Sequence, residues 1–244
     1  MSLPHFAKNL LPRAAAHLRR LPQILADPLG RDPPPALLLH HFAASAAKGG
    51  AALADEWQVV TDETFGGTSR ADVRLSERGT LLFEGEICTD LSDGAAIKKG
   101  GYCGIKHTWG LGRDLGYYDA FVVRLRGDER PYFFNAKTEG WFVDGFYQAP
   151  FRLPNGEEEG GSGEWGALTL PFAAFQRTVR AAVVQQQHQI DTRNVTSLGV
   201  YCSGEPGPFR LEIDCVVAVR SRGVEGEQAR EFCSKVFSGE LRDV

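Results

Sequence analysis

The 244-residue chain has no run approaching the roughly 18 to 20 consecutive apolar residues that a membrane-spanning helix requires. It has no C-x-x-C pair, and beyond its first 50 residues no histidines at zinc-ligand spacing, so nothing points to a structural zinc site. It lacks a G-x-S-x-G elbow and any strand–G-x-G-x-x-G–helix unit, which leaves α/β-hydrolases and dinucleotide-binding oxidoreductases unsupported. The run Gly66-Gly67-Thr68-Ser69 lacks the lysine that completes a phosphate-binding loop and reads as a tight turn. Cationic charge is short as well. Lys and Arg number 27 against 31 Asp and Glu, and the resulting −4 argues against a nucleic-acid partner.

The five cysteines, Cys88, Cys103, Cys202, Cys215 and Cys233, are an odd number, which excludes a complete disulfide framework. The first four fall in expected strands, where a free thiol packs as a small hydrophobe. Buried thiols in a reducing compartment, cytosol or mitochondrial matrix, follow from that.

Two local shortages divide the chain. No acid precedes Asp27, and Gly30 is the only one of 28 glycines before Gly49. Seven of the 13 prolines lie at or before Pro35, where they interrupt regular structure by fixing φ and removing donors. The first 50 residues carry six basic and two acidic groups, a net of +4, leaving −8 to the other 194. We therefore expect a basic, proline-rich arm or transit segment over 1–50, a β-domain over 51–222 and a helical tail over 223–244. Lys8, Arg13, Arg19 and Arg20 among leucines fit an organelle transit peptide, and equally an arm held by a partner.

Within 57–219, short β-branched and aromatic runs recur between Gly, Pro, Asp and Asn. The candidates are 57–60, 70–76, 80–88, 101–107, 118–126, 131–138, 146–153, 164–170, 196–202 and 208–219. Alternation predicts Phe121, Val123 and Leu125 inside against Arg124 and Arg126 outside. It likewise predicts Phe209, Leu211 and Ile213 inside, with Arg210, Glu212 and Asp214 facing water. About ten such strands define an all-β class, a sandwich or jelly roll. Helical signal is confined to Pro171–Phe175 and to 224–238, where Phe232 and Val236 share a face. Asn155–Gly163, with three glutamates, reads as an exposed loop.

Chemistry is sparse. His107 beside Trp109 reads as a structural histidine at a strand end rather than a catalyst. Asp90, Asp93, Glu212 and Asp214 are conceivable calcium ligands. Trp109, Trp141, Tyr132 and Tyr147 could form a sugar-stacking platform, a core or protein-interface contacts. Gly66 and Gly67 permit a sharp reversal, with Ser69 satisfying backbone groups there. Asp128 can hold the turn before Tyr132, while Trp165, Phe172 and Phe175 read as core clamps. None of these demands catalysis.

Taken in order, the chain shows Trp57, Asp62, then Gly66, Gly67 and Ser69, a W…D…GG-x-S opening. Phe83-Glu84-Gly85 and Gly100-Gly101-Tyr102 follow, then Arg126-Gly127-Asp128 with Tyr132, and Trp165 with Leu170-Pro171-Phe172 and Phe175. Gly207-Pro208-Phe209, Leu211 and Ile213 close the series. Over about 55–220 this resembles the complex I intermediate-associated protein family, assembly factors for mitochondrial NADH:ubiquinone oxidoreductase. Glu129 departs from the family's usual glycine and selects a type I turn.

The resemblance implies a galactose-binding-like jelly roll, similar to carbohydrate-binding modules, that holds proteins and has no catalytic residues, cofactor or metal to carry over. It further implies complex I membrane-arm subunits, assembly intermediates and other assembly factors as partners, met on the matrix side of the inner mitochondrial membrane. The chain would serve there as a transient factor or a retained accessory subunit; a plastid role is the lesser alternative. The basic arm would allow peripheral contact with anionic lipid. A carbohydrate-binding or glycan-active protein is the second reading, because fold does not fix function.

Overall fold

The structure is a computed structural model and describes residues 33–42, 56–139, 145–153, 163–179, 182–238 and 240. Most of the basic arm, the glutamates at 157–159 and Trp141 lie outside these residues.

Each segment with period-2 alternation has an apolar face to bury, and pairing satisfies its backbone donors and acceptors at the same time. The strands are β1 (Ala36–His41), β2 (Trp57–Thr61), β3 (Arg70–Leu75), β4 (Leu81–Ile87), β5 (Tyr102–Arg113), β6 (Ala120–Gly127) and β7 (Tyr132–Thr138). They continue as β8 (Phe146–Phe151), β9 (Gly166–Pro171), β10 (Gln176–Val179), β11 (Ala182–Val183), β12 (Val195–Ser203) and β13 (Gly207–Val219). One α-helix, α1 (Gly223–Ser238), closes the described chain. All ten expected strands form, and they stack as two antiparallel sheets in a jelly-roll sandwich. The first sheet has the order β3-β4-β13-β6-β9, with β1 also paired to β13; the second runs β11-β10-β8-β7-β12-β5-β2. Between them lies one core that includes Phe83, Phe121, Leu125, Tyr132, Phe134, Leu198 and Leu211.

β1 falls inside the segment read as the basic arm. Its presence follows from β13, whose last five residues, Cys215 to Val219, are all buried. A strand buried on both faces needs cover on its outer side and a neighbour at its edge. β4 serves the first half, from Gly207 to Ile213, and β1 serves the second, Ala36 to His41 against Val219 to Cys215. α1 then lays Ala229, Cys233 and Val236 over Ala36, Ala120, Cys215, Val217 and Val219, forming a small second core.

Two expectations change, the first at the outer surface of the first sheet. Glu212 and Asp214 point away from the core as alternation predicts, yet both are buried rather than facing water. Glu212 is enclosed by Arg126 at 2.8 Å, Arg210 at 3.2 Å and Thr80 at 3.2 Å, and Asp214 pairs with Arg124 at 3.0 Å. Burial alone would push the Glu212 carboxyl up, but these hydrogen bonds outweigh it and hold it below the usual carboxylate range. The other change is at Pro171–Phe175. Only a 3-10 turn forms there, Phe172–Ala174, which drops Phe172 and Phe175 onto Phe121 at ring distances of 4.7 and 5.9 Å.

Candidate functional site

Asp62 is fully buried at the start of a 3-10 turn, Asp62–Phe65, that ends at Gly66 with φ of +92°. Its Oδ1 accepts from Ser69 N at 3.1 Å, and its Oδ2 from Ser69 Oγ at 3.0 Å, Gly101 N, and Tyr102 N at 3.3 Å. A side chain at Gly66 would be strained by the left-handed backbone, and a Cβ at Gly67 would overlap the Asp62 carboxyl group. The tight turn of the sequence is therefore a socket for one carboxylate. Trp57, five residues earlier, is buried in the core.

Asp128 does related work at the same end of the sandwich, where Thr61, Cys103, Cys202 and Tyr132 pair in one row. Its Oδ1 accepts from Arg130 N and from the Tyr132 hydroxyl, each at 3.0 Å, and its Oδ2 from Arg210 N at 2.7 Å. The bond to Arg130 is the side-chain-closed turn expected of Asp128. Gly127 ends β6, and Tyr132 has no exposed surface. Burial, reinforced by the Asp128 charge, pushes the Tyr132 phenol far up, so it stays protonated and able to donate to Asp128.

Trp165 is not the core clamp expected of it. It is half-buried on the outer surface of the first sheet, beneath the guanidinium groups of Arg126 at 4.9 Å and Arg124 at 5.3 Å. Arg126 ends a ladder that crosses the sheet from Arg74 through Glu84, Arg210 and Glu212, and Arg124 pairs separately with Asp214. With α1 beside it, this surface is already taken by the chain's own side chains.

The opposite surface is different. Register places Gln58, Lys106, Gly199, Asn135, Gln148 and Gln176 in one row across the second sheet, pointing away from the core. The next row is Val60, Gly104, Tyr201, Phe133 and Pro150. Tyr201 lies flat across Gly104, where a Cβ would collide with its ring. Burial pushes the Tyr201 phenol up to about 12. Phe146 stands 6.5 Å from that ring, and Lys137 Nζ lies 6.0 Å over Phe146. Asn135 is buried with its Oδ1 unpartnered among the described residues. Sequence reading missed this face. Its alternation is visible in 131–138 and 196–202, but which residues become neighbours depends on register.

A cleft of about 620 Å³ opens where β1 meets the second sheet, with His40, Glu56, His107, Trp109 and Arg113 in its wall. His107 sits in a strand as a buried structural residue, as expected, and packs against His40 at 4.6 Å; its Nε2 is 3.5 Å from Glu56. His40 stacks on Trp109 at 5.5 Å, and burial, with His107 and Arg113 adding to it, lowers it to about 3. Among the described residues, no Ser or Cys side chain is hydrogen-bonded to either imidazole, so the pair lacks the nucleophile of an acyl-transfer site.

The depressed His40 has a consequence for stability. The folded state holds it neutral, while the unfolded chain takes up a proton below about pH 6.5. Its contribution is thus complete above that pH and falls as pH drops, by about 1.4 kcal/mol at pH 5.5. Urea unfolding at pH 8 and 5.5 should show that loss, and His40→Phe should remove most of it. An unchanged pH dependence in the variant would place the titration elsewhere.

The remaining expectations resolve simply. Among the described residues, no three His, Cys, Asp or Glu side chains come together to hold a metal. Glu212 and Asp214 are committed to arginines, so the calcium set is not assembled. The sugar platform is not assembled either, because Tyr132 is inside the core. All five cysteines are free and four are buried. Burial drives the thiols of the four buried ones up, Cys103 to about 12 and Cys202 and Cys233 to about 11, which keeps those four protonated and unreactive.

The geometry defines a class: a two-sheet jelly roll with buried carboxylates that fasten loops, and with one sheet surface left open. A family 11 carbohydrate-binding module from a Clostridium thermocellum cellulosomal cellulase has this fold, with a TM-score of 0.52 and 13% identity over 77% of this chain and 96% of that one. The sequence profile described as complex I intermediate-associated protein 30 (CIA30) matches residues 43–213, and the chain belongs to that family. Similar relatives are the mitochondrial complex I intermediate-associated protein 30 of Drosophila melanogaster and of Mus musculus. They are 32% identical over 177 residues and 27% identical over 174, each match covering 66% of this chain. The matches take in 57% and 51% of those relatives, so the chain spans about half the length of the curated proteins it matches.

Proposed function

We propose that the chain is a non-enzymatic binding protein in the assembly of mitochondrial respiratory complex I. As a transient factor or retained subunit, it holds membrane-arm components from the matrix side of the inner membrane. Family membership over 43–213 is the observation that carries this reading. The structure supports a holding role through a rigid sandwich that exposes one broad sheet surface while its charged clusters are engaged internally. The basic arm lies along anionic lipid or a subunit crevice, each Lys or Arg contributing about 1 kcal/mol near such a membrane.

Tagged protein recovered from isolated mitochondria and resolved on a native gel tests this. It should migrate with complex I species, in lighter inactive forms if it is a transient factor and with NADH dehydrogenase activity if it is retained. Removing 1–34 should weaken that association. Migration with no complex I species would end the proposal, and binding to a glycan array would favour the carbohydrate reading.

A further inference from the structure

The two outer surfaces of the sandwich treat charge in opposite ways. On the first sheet, Arg74, Arg124, Arg126 and Arg210 each have a carboxylate partner within 3.2 Å. On the second, the outward positions of the paired strands include Lys106 and Lys137 and not one Asp or Glu, in a chain whose acids outnumber its bases. Neither lysine makes an ion pair or hydrogen bond among the described residues. A face cleared of carboxylates within an acidic domain is complementary to a negatively charged occupant.

We propose that this face is the docking surface and that its occupant is an acidic, extended segment of a partner protein; the idea rests on the binding role proposed above. Lys106 and Lys137 lie on strands either side of β12, opposite Gly199 and Ser197. Two strand spacings and a two-residue offset separate their Cα atoms by about 12 Å, the span of three to four residues of extended chain. Carboxylates at that interval would meet both ammonium groups. Between them the surface stays low at Gly199, which has no side chain, and in the row beyond Lys106 the Tyr201 ring lies flat over Gly104. A backbone can therefore approach closely. Gln58, Gln148 and Gln176 offer amides that match its peptide groups, and Tyr201, Phe133 and Phe146 offer apolar area beside it. A membrane is the poorer fit: two lysines supply only about 2 kcal/mol toward anionic lipid, whereas stable anchoring needs several such groups or an acyl chain.

The test uses the full chain and an array of 15-residue peptides covering the matrix-facing loops of the complex I membrane-arm subunits, with fluorescence anisotropy on the binders. Peptides with paired carboxylates should bind, and more weakly as salt rises. Lys106→Glu with Lys137→Glu should weaken them by about tenfold or more, a change of about 1.4 kcal/mol. Arg78→Glu, on the β3–β4 turn, should leave them unchanged, and matching melting temperatures would show that all variants fold. Neutral or basic binders, or binding within about twofold after the double reversal, would overturn the idea. So would lysine-dependent sedimentation with cardiolipin vesicles in place of peptide binding.

Native gels separate this inference from the role beneath it. If the double variant associates with complex I species as the unaltered chain does, the face is wrong and the role stands. If the unaltered chain binds acidic peptides but no complex I species, the face stands and the role falls.

Discussion

Asp62→Ala is expected to cost about 4 to 6 kcal/mol, enough to leave much of the domain unfolded at 37 °C. Three backbone N–H groups, of Ser69, Gly101 and Tyr102, donate to this carboxylate in the fully buried socket. Each buried donor left without an acceptor costs about 1 to 3 kcal/mol, against a total stability of about 5 to 15 for a domain. The Ser69 hydroxyl is less exposed to the loss, because the Cys88 carbonyl lies 3.0 Å from it. Asp62→Asn keeps one acceptor but turns an NH2 toward other donors, so it should fall between alanine and the unaltered chain. Gly67→Ala should resemble Asp62→Ala, since its Cβ would occupy the carboxyl's place. Equilibrium unfolding in urea measures all three, and a loss under about 1 kcal/mol in Asp62→Ala would show that the socket relaxes or admits water.

The socket also shows where a sequence stops being informative. Trp57, Asp62, Gly66, Gly67 and Ser69 stand close enough in the chain to be read as a turn, and Ser69 does bond Asp62. Gly101 and Tyr102 lie 39 and 40 residues further on, and only the fold brings their N–H groups to Oδ2. Asp128 divides in the same way. Its turn with Arg130 is local and legible, whereas its bond to Arg210 spans 82 residues. The strands were legible because alternation is a property of each segment alone. Glu212 and Asp214 were misread because alternation gives the side of a sheet a residue points to, not what covers that side. Trp165 was misread for a related reason: a tryptophan before a strand looks like core until two arginines from β6 are found over its ring. The open face needed register across six strands, which no single segment encodes.

Truncation should separate the domain's true start from its apparent one. A chain beginning at Pro35 retains β1, and one beginning at Ala51 loses it. The composition boundary near residue 50 predicts that both fold alike. The structure predicts otherwise, because Phe42 has no exposed surface and packs against Trp57 at 5.7 Å, while Ala36 belongs to the second core under α1. Losing the Phe42 ring alone is worth about 3 to 5 kcal/mol. Losing β1 also uncovers the edge of β13 along Cys215 to Val219, an apolar run with unpaired backbone groups and the character of an aggregating strand. The shorter chain is therefore expected to be insoluble, or to melt at least about 10 °C below the longer one. Size-exclusion chromatography and calorimetry of the two decide the matter, and coincident melting would mean that β1 contributes no more than a loose edge. Since β1 carries His40 into the cleft, a shorter chain that does fold should also have lost the acid sensitivity assigned to that ring.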